Sequence, residues 1–171
     1  MPELTADQII ELLGLEPLPE EGGLFRQTYR SGEQIPAAAL PSRYGGPRRF
    51  ATAIYYLLTD APDSFSALHR LKTYEVYHFY LGDPVEMLLL HPDGGSERPI
   101  LGQDLAAGQQ VQLVVPAGSW QGSRLMPGGR CALMGTTMAP GYEQDDFELG
   151  ERERLLSGYP EQAELIRGLT R

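Results

Sequence analysis

His69 and Glu75 are the side chains best placed by type and spacing to do chemistry, one on each side of a short break between two apolar runs. A histidine beside a carboxylate is a proton-transfer pair, because the carboxylate orients the ring and stabilises its charged form. The alternative for His69 is a core histidine satisfied by its neighbours. A phenol would complete an acid–base set, and Tyr55, Tyr77 and Tyr29 are candidates that no spacing separates. Gln121 can hold a ligand oxygen through its amide. Arg26 and Arg30 either hold a carboxylate or phosphate or are outward charges of a strand. The acids Asp145, Asp146 and Glu148 suit a helix N-terminus. Arg43, Arg48 and Arg49 form the one local basic cluster; it reads as a solvated loop or a phosphate contact. His91 precedes Pro-Asp-Gly and reads as a solvated turn residue. Cys131 is the only cysteine, which excludes an internal disulfide and a cysteine-based metal cluster. Its flanks read as strand, so a buried, inert thiol is expected.

The elements that must position these groups are short strands. Leu24–Arg30 alternates, with Phe25, Gln27 and Tyr29 on one face. Further strands are predicted at 50–58, 65–71, 75–81, 85–91, 99–102, 110–115, 120–125 and 131–138, separated by Gly, Pro and Asp turns. Residues 31–49 read as a polar loop. Strand period is two, so if His69 faces an interior then Leu71 does too, and Arg70 faces out. If Glu75 points inward, Tyr77, Phe79 and Leu81 follow, and Val76, His78 and Tyr80 lie outside. His78 then belongs to an outer face or an interface, and Trp120 reads as a packing residue. Thr5-Ala-Asp-Gln8 has the spacing of a capping box, opening a short helix that ends at Gly14. After residue 146 the pattern turns helical, at 151–156 and 160–169, with Pro160 suited to a helix start.

Composition agrees with a turn-rich β protein. The chain has 171 residues with 20 Gly and 14 Pro, and no repeat period. That length fits one domain. With 14 basic and 23 acidic residues the net charge is −9, so no global field favours nucleic acid. No leader pattern opens the chain and no apolar run is long enough for a membrane span, so a cytoplasmic protein is expected.

The run from His69 to Gly82 resembles the first motif of the cupin superfamily, with His69 at the first His position, Glu75 at the Glu position and Gly82 at the closing Gly. Leu71 stands where the motif has its second His. Gly108 and Pro116-Ala-Gly-Ser-Trp-Gln121 resemble the second motif, with Gln121 at its final His position. Four blocks between residues 21 and 148 resemble the Cupin_5 family, similar in fold to dTDP-sugar epimerases and plant storage cupins. They start at Glu21-Gly-Gly-Leu-Phe, Ala51-Thr-Ala-Ile, Ser66-Ala-Leu-His and Val114-Val-Pro-Ala, the last continuing at Ala139-Pro-Gly-Tyr.

The resemblance implies an all-β fold: a double-stranded β-helix, or jelly-roll barrel, over 24–146. A short helix at 1–14 and C-terminal helices at 147–171 would complete a single cupin domain. It implies a small-molecule pocket in the barrel and a homodimer. Three functions are compatible. The first is an isomerase or epimerase using His69 and Glu75, with Gln121, Tyr55, Tyr77, Arg26 and Tyr29 as ligand-binding candidates. The second is a non-catalytic ligand-binding cupin. The third is a metal-dependent cupin holding a divalent transition metal through His69, Glu75 and Gln121.

Overall fold

The computed structural model describes residues 4–171. Residues 1–3, the start of the stretch read above as carrying no leader, lie outside them. Helix α1 (Ala6–Leu13) opens with the predicted capping box, Thr5 and Gln8 each bonding the other's backbone, and closes at Gly14 in the left-handed region. Fourteen strands follow: β1 (Glu16–Pro17), β2 (Leu24–Arg30), β3 (Gln34–Ile35), β4 (Arg48–Arg49), β5 (Thr52–Thr59), β6 (Ser66–Leu71), β7 (Glu75–Gly82), β8 (Val85–Leu90), β9 (Ser96–Glu97), β10 (Ile100–Leu101), β11 (Gln112–Val115), β12 (Trp120–Leu125), β13 (Cys131–Met138) and β14 (Phe147–Leu149). Helices α2 (Arg152–Gly158) and α3 (Ala163–Gly168) end the chain, with a 3-10 turn at Pro160–Gln162 before α3.

Two antiparallel sheets form the jelly-roll barrel. One runs β1-β2-β5-β13-β7-β11, and the other β10-β8-β12-β6-β14, with β9 on β8. Strand alternation sorts apolar side chains into three clusters. Inward residues such as Tyr56, Leu58, Tyr77, Phe79, Met87, Leu89 and Met134 fill the space between the sheets. On the outer face of the second sheet, Leu68, Leu88, Leu90 and Trp120 are covered by Leu155, Leu165, Ile166 and Leu169 of the C-terminal segment. On the outer face of the first, Leu57, Cys131 and Leu133 are covered by Ile9 and Leu15. Trp120 thus packs, as expected, and Cys131 is buried.

Two β-bulges overturn the simple parity reading. Pairing of β7 with β13 shifts register between Leu133 and Met134, and Leu81 joins the outer cluster under α1 rather than the interior. In β2 the register shifts between Gln27 and Tyr29, so Tyr29 pairs with Ala53 and Arg30 with Thr52. Tyr29 therefore leaves the face of Phe25 and Gln27 and is 54% exposed. Residues 147–149, read as the start of a helical tail, instead form β14 beside β6.

Candidate functional site

The interior is apolar toward one end and polar toward the other. At the polar end lies a cavity of about 420 Å³, its wall including Phe25, Gln27, Leu71, Glu75, Thr136, Tyr142 and Phe147. Register builds this end. His69 on β6 sits opposite Gln121 on β12, and Glu75 on β7 sits opposite Met138 on β13 and Val115 on β11. Both sheets thereby send polar groups into one interior.

Glu75 is 6% exposed and reaches the cavity. Gln121 Nε2 donates to its Oε2 at 2.7 Å. Burial, and then the charge of Glu21, push the Glu75 carboxyl above its usual range; His69, Thr136 and Gln121 pull the other way. His69 is 1% exposed and stands behind the wall rather than in it. Its Nδ1 lies 2.8 Å from the Ala67 carbonyl, which only accepts, so Nδ1 carries a hydrogen. Nε2 points to Glu21 Oε2 at 3.8 Å, and Phe147 stacks on the ring with centroids 5.2 Å apart.

Glu21 is the group that residue-by-residue reading missed. It sits in an irregular turn between β1 and β2, where no periodicity marks an inward direction. Its one signal is the Gly22-Gly23 pair that follows. Gly23 has φ +72°, and a Cβ there would stand 2.8 Å from the Tyr56 hydroxyl. Two glycines let the turn lie flat on Tyr56, whose hydroxyl donates to Gly22 O at 3.0 Å. Ser66 Oγ then donates to Glu21 Oε1 at 2.9 Å, and Ala67 N–H to Glu21 O at 2.8 Å. Tyr142 is the second omission. It lines the cavity, donates to Gln144 Oε1 at 2.8 Å, and stays a neutral phenol because burial and the charges of Glu21, Glu20 and Glu75 raise its pKa.

The other candidates separate. Tyr77 is interior and fully buried, its phenol pushed up by burial and by Glu75. Tyr55 faces outward, edge-on to Tyr80 at 6.2 Å. Arg26 is exposed and donates to Leu13 O at 2.8 Å, closing the end of α1. Arg30 pairs with Glu143 at 3.2 Å. None of the ligand-binding candidates Tyr55, Tyr77, Tyr29, Arg26 and Gln121 is part of the cavity wall. Arg48 is not solvated: it binds Asp146 through two bonds of 2.6 and 2.7 Å, with both residues buried. Asp146 accordingly serves this pair rather than a helix start. His78 lies on the outer face beside Gln112 and Thr137. His91 is tied, not free in solvent, through Nε2 to Glu97 at 2.8 Å and Nδ1 to Ser119 at 3.1 Å.

The metal set implied by the cupin motifs does not fit these residues. Leu71 occupies the second His position and offers no donor atom. Gln121 turns its amide nitrogen, not its oxygen, toward Glu75. Among the described residues, no three His, Cys, Asp or Glu side chains are grouped to hold a metal ion.

Comparison with known proteins agrees with this architecture. Residues 7–150 match Cupin_5, described as a Cupin superfamily family, DUF985. The chain belongs to the Cupin_5 family. It is similar to the crystal structure of protein SO0799 from Shewanella oneidensis, with 35% identity, a TM-score of 0.85 and 99% of each chain covered. A hypothetical protein from Leishmania major is 28% identical with a TM-score of 0.86, covering 98% of this chain and 99% of that one. The uncharacterised yeast protein YML079W, from Saccharomyces cerevisiae, is 31% identical over 156 residues, 85% of this chain and 77% of the yeast protein. Among the described residues no helix of this Cupin_5 protein is long and apolar enough to cross a membrane.

Proposed function

We propose that the barrel cavity binds a small metabolite and that Glu75 moves a proton on it, in an isomerase- or epimerase-type reaction. The observation that carries this reading is a buried carboxyl facing a cavity, with its protonated form favoured by burial and by Glu21. A carboxyl shifted toward neutral pH can give a proton to a bound molecule and take one back. His69 is a positioning residue in this scheme. Its Nε2 faces Glu21, and its proximity favours the charged Glu75 once the proton has left. Tyr142 contributes a neutral hydroxyl at the rim.

Candidate metabolites incubated with the protein in D2O and followed by NMR test this reading. Enzyme-dependent deuterium incorporation at a carbon is expected with wild type and is lost in Glu75→Gln. Binding without exchange would overturn it. The shielding of His69 behind Phe147 favours that second reading, a binding protein that releases its ligand unchanged.

We also infer a homodimer. Val114 and Tyr80 leave apolar surface exposed on the outer face of the first sheet, beyond the cover of α1. A monomer by light scattering would contradict it.

A further inference from the structure

We propose that the cavity takes a small organic cation, an ammonium group on a compact apolar skeleton, and turns anions away. This rests on the reading of the cavity as a ligand site and names its substrate class. The wall presents the carboxylates of Glu20 and Glu21, the carboxyl group of Glu75, and three aromatic rings, Phe25, Tyr142 and Phe147. Neither lysine nor arginine is part of it. A phosphate or carboxylate ligand is ordinarily met by arginine forks, lysine or helix N-terminal amides. Here it would instead meet like charge in a partly desolvated space, where repulsion is strongest. Arg48 is committed to Asp146 and Arg30 to Glu143, and Arg171, beside the same turn, donates to the Glu21 and Asp63 carbonyls at 3.5 and 3.2 Å and covers the Phe65 ring. Aromatic faces beside carboxylates are the surroundings in which ammonium groups are held, through ring quadrupoles and charge together.

One further observation points the same way. Glu20 holds φ at +62°, a conformation that L side chains seldom adopt. Strain of that kind persists where surrounding structure enforces it, and here it turns the Glu20–Glu21 segment onto the rim.

Three probes of one skeleton test the charge preference by calorimetry at neutral pH: benzylammonium, benzyl alcohol and benzoate. Benzylammonium is expected to bind at least about tenfold tighter than benzoate, with the alcohol between them. Glu21→Gln should weaken benzylammonium by about fivefold or more and narrow the gap to benzoate. If Glu21→Gln disturbs its turn, Glu20→Gln on the exposed rim carries the same expectation. Glu153→Gln on α2, with the same net charge change, should leave binding unaltered. Equal affinities, a preference for benzoate, or no benzylammonium binding in the millimolar range would each overturn the inference. Deuterium exchange reads the other proposal separately. Cation preference without exchange overturns only proton transfer, and exchange with anion preference overturns only the cation inference.

Discussion

Asp146→Asn tests how the cavity rim is held. Arg48 and Asp146 join segments 98 residues apart through two charge-assisted hydrogen bonds, and their side chains are 4% and 0% exposed. The Asp146 bond and charge hold the Arg48 guanidinium above its usual pKa against burial. Once the carboxylate is gone, Arg48 keeps the Gly46 and Pro47 carbonyls, at 3.0 and 2.9 Å, the Tyr44 ring and one amide oxygen at position 146, but no counter-charge. Removing one partner of a buried pair costs about 3–5 kcal/mol, because the other charge stays desolvated. In a chain of this size each kcal/mol moves Tm by roughly 2–4 °C, so a fall of about 6–20 °C is expected. Urea denaturation at pH 7 gives the free energy and a thermal scan gives Tm. The double variant Arg48→Met with Asp146→Leu, which leaves no charge to desolvate, should recover most of the loss. The turn carrying Asp146 lies between Tyr142 and Phe147 of the cavity wall, so the single variant should also weaken probe binding. A loss below about 1 kcal/mol, the range of exposed pairs, would refute the reasoning, as would a double variant no more stable than the single one.

Glu75→Gln should stabilise the fold increasingly with pH. The raised pKa of Glu75 means that its protonated form supports the fold, a contribution lost as pH rises from the ordinary 4.5 through the folded value; Gln stays neutral throughout. The Tm gain should be small at pH 4 and larger at pH 8, and a gain independent of pH would count against a buried, strained carboxyl. Gly23→Ala should cost about 2 kcal/mol through its positive φ and its collision with Tyr56, and should weaken ligand binding by displacing Glu21. Its urea midpoint, with probe calorimetry, checks both parts. Cys131 should react with a thiol reagent at the rate of unfolding rather than of mixing, since it is 7% exposed beneath α1.

Much of the strand order was legible because turns in this chain are punctuated by Gly, Pro and Asp. The expected strands 120–125 and 131–138 match β12 and β13 at both ends. The inward direction of His69, Glu75 and Gln121 followed from period two and the cupin spacing. The same rule failed at Leu81 and Tyr29, where one extra residue reverses the face and no residue type announces it. Glu21 escaped because its direction is set by a loop resting on Tyr56, a contact between residues far apart in sequence. The Arg48–Asp146 pair escaped for the same reason: its two charges, read locally, suit solvent and a helix start.

The filling of the barrel has a kinetic consequence. Tyr77, Phe79, Met87, Leu89 and Met134 fill the interior at one end, so no passage runs through the barrel on that side. For the proposed ligand, arrival and departure would then both use the polar end. A reaction of one molecule, with a proton returned to where it was borrowed, would suit that traffic better than one that needs two reactants in turn.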